Sequence, residues 1–146
     1  MVRFKTRVAV LVTAVSVATL GLSVPARADS VFGSCDTDIR FWINVRAFAV
    51  VENGGGTHRW THLEGSLNGS AGDKSNVNAW FYQQSDGVDV LRGTYRSPDN
   101  VHGGPFNLPV VPNPTTYALT GEFVDFEAVF DKFGPDPRCT DRSDII

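Results

Sequence analysis

In the stretch DIRFWINVRAFAVV, Ile39, Phe41, Ile43, Val45 and Ala47 occupy every second position, with Arg40, Trp42, Asn44 and Arg46 between them. A period of two, carried by β-branched and aromatic residues, turns one face of an extended chain toward a core and the other outward. The same positions on a helix of 3.6 residues per turn would spread around its axis. Turn chemistry then punctuates similar runs. ENGGG ends the first, HRWTHLEGSL reads as a second strand, and NGSAGDKS reads as a loop. NVNAWFYQQ alternates again, with Val77, Ala79 and Phe81 against Asn78, Trp80 and Tyr82, and SDG turns the chain into VDVLRGTY as in a hairpin.

TYALTGEFVDFEAVFDKF is the one ambiguous segment. Phe123, Phe126, Phe130 and Phe133 are spaced as on a helix, yet Val124, Phe126, Ala128 and Phe130 alternate with Asp125, Glu127, Val129 and Asp131. Its wealth of Phe and Val favours strand over 122–133, with Gly121 as a bend or bulge between two strand segments. Six or seven strands without a secure helix predict an all-β fold, an antiparallel β-sandwich in an immunoglobulin-like arrangement, with a small closed barrel as the alternative.

The amino terminus belongs to a different argument. Arg3, Lys5 and Arg7 precede an uncharged run from Val8 to Val24, and Ala26 and Ala28 then flank Arg27. A basic start, an apolar stretch and an A-x-A site are the marks of a secretory leader, expected to span residues 1–28 and to be cleaved before Asp29. The apolar run is short for a membrane span, and no later segment offers one. Removing 28 of the 146 residues leaves 118, enough for a single domain over 29–146. Nine basic and sixteen acidic residues then remain, a formal charge of −7. That balance argues against nucleic acid and against anionic membrane surfaces. The expected location is extracellular, with periplasm or cell envelope as the alternative, and the expected state is a monomer.

Cys35 and Cys139 are the two cysteines, each near one end of the 29–146 segment. In a secreted chain an even pair points to a disulfide, here a structural clip on the termini lying outside the strands.

Catalytic and metal motifs are weak. His58 and His62 lie four apart, which on a strand separates them by about 13 Å, too far to share a zinc ion. His102 reads as a solvated loop residue. NGSAG has Asn68 where a nucleophile elbow needs glycine, and no helix follows it; Asn68-Gly69-Ser70 is also a glycosylation acceptor in a eukaryotic setting. Asp125 and Glu127 share a strand face at about 7 Å, within the range of glycosidase pairs, although acidic residues on an outward face are ordinary. No calcium-loop spacing is present. No catalytic residue, metal or cofactor is therefore expected.

Two rows remain as candidate ligand-binding surfaces: Arg40, Trp42, Asn44 and Arg46, and Asn78, Trp80, Tyr82 and Gln84. Flat rings beside amide and guanidinium donors suit a sugar, although burial of the tryptophans in a sandwich core is the plainer alternative. The run VHGGPFNLPVVPNPTTY is extended and stiff because of its prolines. It reads first as a connector between sheets. In the alternative, residues 102–115 form a partner-binding or protease-inhibitory loop presenting Phe106, Leu108, Val110 and Val111. The expectation is a secreted, non-catalytic binding protein whose ligand is carbohydrate or cell-envelope glycan, or else an extracellular protein. A glycan hydrolase using Asp125 and Glu127 is the weakest reading.

Overall fold

Two antiparallel sheets pack face to face in a computed structural model that describes residues 28–38, 40–68, 70–118 and 120–146. The expected leader, up to Arg27, and Ile39 lie outside the described residues. The first sheet has the order β1 (Ala28–Asp38), β2 (Phe41–Glu52), β3 (Thr57–Leu67), β6 (Gly104–Pro109), and β7 (Thr115–Tyr117) also pairs with β3. The second has the order β5 (Val88–Arg96), β4 (Asn76–Ser85), β8 (Glu122–Val129), β9 (Arg138–Arg142). The fold is a β-sandwich and not a closed barrel. Its third strand stays beside the second, whereas in an immunoglobulin order it crosses to the opposite sheet. Of the segment 122–133, residues 122–129 form strand β8 while 130–133 lie beyond it, and the crossover from β7 to β8 uses Gly121 at φ 75°.

The alternation read from the sequence places the core directly. Phe41, Ile43, Val45, Ala47 and Ala49 of β2 face Val77, Ala79, Phe81, Val124, Phe126 and Ala128 across the sandwich, all buried. Small and large side chains interleave: Trp60 packs on Phe81 with ring centroids 5.4 Å apart, and Phe41 on Phe130 at 5.5 Å. Trp60 is therefore the core tryptophan, which leaves Trp42 and Trp80 on the outer faces. Asp86 and Gly87, at φ 52° and 76°, form the two-residue turn that the SDG run implied between β4 and β5.

Among the described residues there are nine strands, not six or seven, because three segments lack plain alternation. β1 carries Gly33, whose bare Cα lets the Phe126 ring approach; a Cβ there would sit 2.4 Å from it. β9 is short, and β6 lies inside the proline run.

That run is not a loop throughout. Val110 N–H donates to the Thr61 carbonyl at 2.9 Å, so alternate residues of β6 turn their amides toward β3. Pro105 and Pro109 occupy the other set, where no amide is required and where an edge strand tolerates proline. Beyond β6 the Val111–Pro112 peptide is cis, the Asn113 amide donates to the carbonyls of Trp60 and Val110, and the Pro114 ring rests on Gly93 of β5. Phe106 and Leu108 are half-buried against the core, Val110 is buried, and Val111 is 76% exposed. Replacing Phe106 and Leu108 together by alanine is expected to lower stability by about 3 kcal/mol, read as a clear fall in melting temperature. An unchanged melt would show that these side chains do not support the sheet.

The cysteines do form a disulfide, with Cα atoms 5.8 Å apart and 104 positions of sequence between them. The expectation that they lie outside the strands is corrected: Cys35 sits in β1 and Cys139 in β9. The bond joins edge strands of opposite sheets.

Candidate functional site

The second sheet turns a coherent outer face to solvent, and its register assembles it. Trp80 of β4 stands opposite Thr94 on β5 and Asp125 on β8; Asn78 stands opposite Arg96 and Glu127; Tyr82 stands opposite Leu91 and Phe123. On the far side of β8, Arg142 of β9 pairs with Asp125, and Thr140 with Glu127. Trp80 is thus the centre of the patch. It lines an open groove of about 530 Å³ with Tyr82, Asp125, Thr140, Asp141 and Arg142.

Arg142 organises this face. Its Nε and Nη2 donate to the two oxygens of Asp125 at 2.7 and 2.9 Å, and its Nη1 donates to Asp89 at 3.1 Å. The guanidinium also lies 4.1 Å from the centroid of Phe123, on which the Tyr82 ring stacks at 5.0 Å with an interplanar angle of 11°. Hydrogen bonding to Asp125, above all, holds the Arg142 guanidinium further above its ordinary range, so it stays a cation. Tyr82 is fixed from beneath, while no described residue accepts a hydrogen bond from the Trp80 indole N–H. Glu127 accepts from Arg138 at 3.2 Å and lies 3.5 Å from the Asn78 amide.

Two candidate sets that the sequence presented separately, the Asn78–Gln84 row and the Asp125/Glu127 pair, therefore belong to one surface. Each carboxylate accepts from a guanidinium, Asp125 from Arg142 and Glu127 from Arg138. Gln84 lies half-buried at the end of its row, its backbone N–H bonded to the Gly121 carbonyl. Thr94, Thr140, Asp89 and Arg142 were not singled out from the sequence. The signal was available in RCTDR, where Cys139 points inward and Thr140 and Arg142 outward, but five residues are too few to declare a strand.

The other row does not join this surface. Trp42, Asn44 and Arg46 project from β2 on the outer face of the first sheet, and Arg40 lies in the turn before β2. The eight residues thus define two opposite faces. Asn44 and Arg46 line a second groove, of about 500 Å³, with Phe32, Glu64, Ser66 and Asn107. The Arg46 guanidinium stands 5.7 Å over the Phe32 ring, and Asn107 donates to Glu64 at 2.9 Å. Trp42, 36% exposed, lies apart beside Ser34 and Asp36.

The histidines part company at a β-bulge. Phe48 opposes His62 and Ala49 opposes Trp60, so Thr61 is extra and the alternation of β3 slips by one. His62 consequently stacks on Phe48 outside, with ring centroids 4.7 Å apart, while His58 turns inward. There its Nδ1 meets Glu122 at 2.7 Å and its Nε2 meets Asp29 at 3.1 Å. Thr116 donates to the second oxygen of Glu122 and accepts from the Trp60 indole at 2.9 Å. Glu122 has no exposure at all. Histidine spacing could not reveal this cluster, since its members come from four strands.

His102 is exposed beside Asp73 at 3.2 Å. The Asn68 side chain is buried and its Nδ2 donates to the Arg40 carbonyl, so this asparagine is not displayed for glycosylation. No protein-family model matches the chain, and no curated protein matches it.

Proposed function

We propose that this domain is a non-catalytic carbohydrate-binding module that works outside the cytoplasm, with the Trp80 face as its binding surface. One observation carries the reading: a half-buried tryptophan stands at the centre of an open groove edged by amide, hydroxyl, carboxylate and guanidinium groups. A pyranose ring has an apolar face of C–H groups and a rim of hydroxyls. The first suits the indole surface, and the second can donate to Asp125 and Glu127 and accept from Asn78 or Thr140. The groove volume falls in the range of small-ligand sites. A disulfide closing the domain is consistent with an extracytoplasmic protein.

The alternative of a partner-binding loop has less support, because three of the four apolar residues of the proline run turn toward the core and only Val111 is well exposed. The hydrolase reading is weakened by the guanidinium partners of Asp125 and Glu127.

Trp80→Ala is expected to weaken binding to an immobilised oligosaccharide panel by about 10- to 100-fold, the range for losing a central aromatic anchor, with little change in melting temperature. Trp42→Ala, on the opposite sheet, should leave binding intact. Loss on Trp42→Ala with retention on Trp80→Ala would move the site to the first sheet.

A further inference from the structure

We infer that the Trp80 face selects an uncharged pyranose chain and discriminates against acidic glycans, an inference that rests on the carbohydrate reading above. Guanidinium groups on a sugar-binding surface usually suggest a uronate or a sulfated chain, because arginine clasps such anions with paired hydrogen bonds. Here the paired face of the central arginine is already occupied. Arg142 spends both arms of its fork on Asp125 and its remaining edge on Asp89, and Arg138 is bonded to Glu127. Arg96, opposite Asn78 on the outer strand, is the further cation of the patch, and Asp141, which accepts from the Ser34 amide at 2.8 Å, is a further anion. Four carboxylates, Asp89, Asp125, Glu127 and Asp141, thus stand against three guanidiniums. The surroundings do not reverse this balance, since residues 29–146 carry a formal −7.

At the centre of the groove an incoming carboxylate would have to displace Asp125 from its bidentate pair or settle beside Asp125, Glu127 and Asp141, where like charges are disfavoured; Arg96, at the outer edge beside Asn78, offers a single guanidinium away from that centre. A hydroxyl meets neither obstacle. The carboxylates retain acceptor capacity beyond the guanidinium bonds, and sugar hydroxyls can donate to it. The ion pairs then hold the acceptors in place around Trp80 and keep the Arg142 fork from an anion.

Calorimetric titration of the disulfide-bonded domain with neutral gluco-, manno- and galacto-configured hexasaccharides, and with oligogalacturonate of the same length, tests this. At least one neutral chain is expected to bind about tenfold or more tightly than oligogalacturonate. Asp125→Asn combined with Glu127→Gln, which frees both arginines, is expected to narrow that ratio by raising oligogalacturonate affinity. If the double variant melts early, Asp125→Asn alone supplies the comparison. Oligogalacturonate binding as tightly as the best neutral chain, in a Trp80-dependent way, would overturn the selectivity and leave the carbohydrate reading standing. Absence of binding to every chain would overturn the carbohydrate reading itself, and this inference with it.

Discussion

His58→Ala is expected to destabilise the sandwich by about 3–5 kcal/mol, the range for removing one partner of a buried ion pair. The size follows from what stays behind. Glu122 is wholly buried, and His58 supplies the closest contact to one of its oxygens, at 2.7 Å. Alanine would leave that oxygen facing a cavity, with only the Thr116 hydroxyl on the other. Asp29, at the start of β1, would lose its tie to β3 in the same step. His58 sets one ring nitrogen against each neighbour, Nδ1 on Glu122 and Nε2 on Asp29, on opposite sides of a flat ring. Neither Gln nor Asn can set a nitrogen on each of two opposite sides, so conservative replacements should recover little.

Chemical denaturation of the single variants and of the His58→Leu/Glu122→Leu pair separates a charge effect from a packing one. If the loss is mainly the stranded carboxylate, the pair should be less destabilised than the sum of its single variants, since removing both partners removes the unmet demand. Additive losses would show that the cluster acts by volume alone.

This cluster also marks where sequence reading ends. The alternation around Phe41–Ala47 and Val77–Phe81 is a local property, one residue against its neighbours, and the core followed from it without knowledge of topology. The outward rows were legible for the same reason. What was hidden depends on register between distant segments. Asp125 and Glu127 acquire Arg142 and Arg138 only when β9 pairs with β8, and Trp80 meets Asp125 only when β8 pairs with β4. Thr61 is an unremarkable residue in a string, yet as a bulge it sends His58 and His62 to opposite sides. The proline run misled for a complementary reason. Proline forbids ladder donation at its own position but not at the next, and an edge strand needs donors only at alternate positions.

Replacement of Cys35 and Cys139 together by serine is expected to cost about 2–5 kcal/mol, and the loss should be felt first at one side of the sandwich. A bridge spanning 104 positions closes most of the domain into a loop, for which the chain-entropy view gives about 4 to 5 kcal/mol. The native geometry gives the bond a second task. β1 and β9 are the edge strands of opposite sheets, so neither has a ladder partner on its outer side. Besides the disulfide, they are joined where Ser34 N–H donates to Asp141, and the Phe126 ring of β8 fills the space over Gly33. Cutting the bond should therefore raise amide exchange in β1 and β9 well before β4 and β8, whose ladders are double-sided. Free-thiol titration of native protein should find none, and denaturant unfolding should show a lower midpoint for the double serine variant. If that midpoint and the protection of β1 both match the parent, the Phe126 contact and the Asp141 hydrogen bond hold this edge by themselves. The disulfide would then act on the unfolded chain too weakly to register, contrary to its long span.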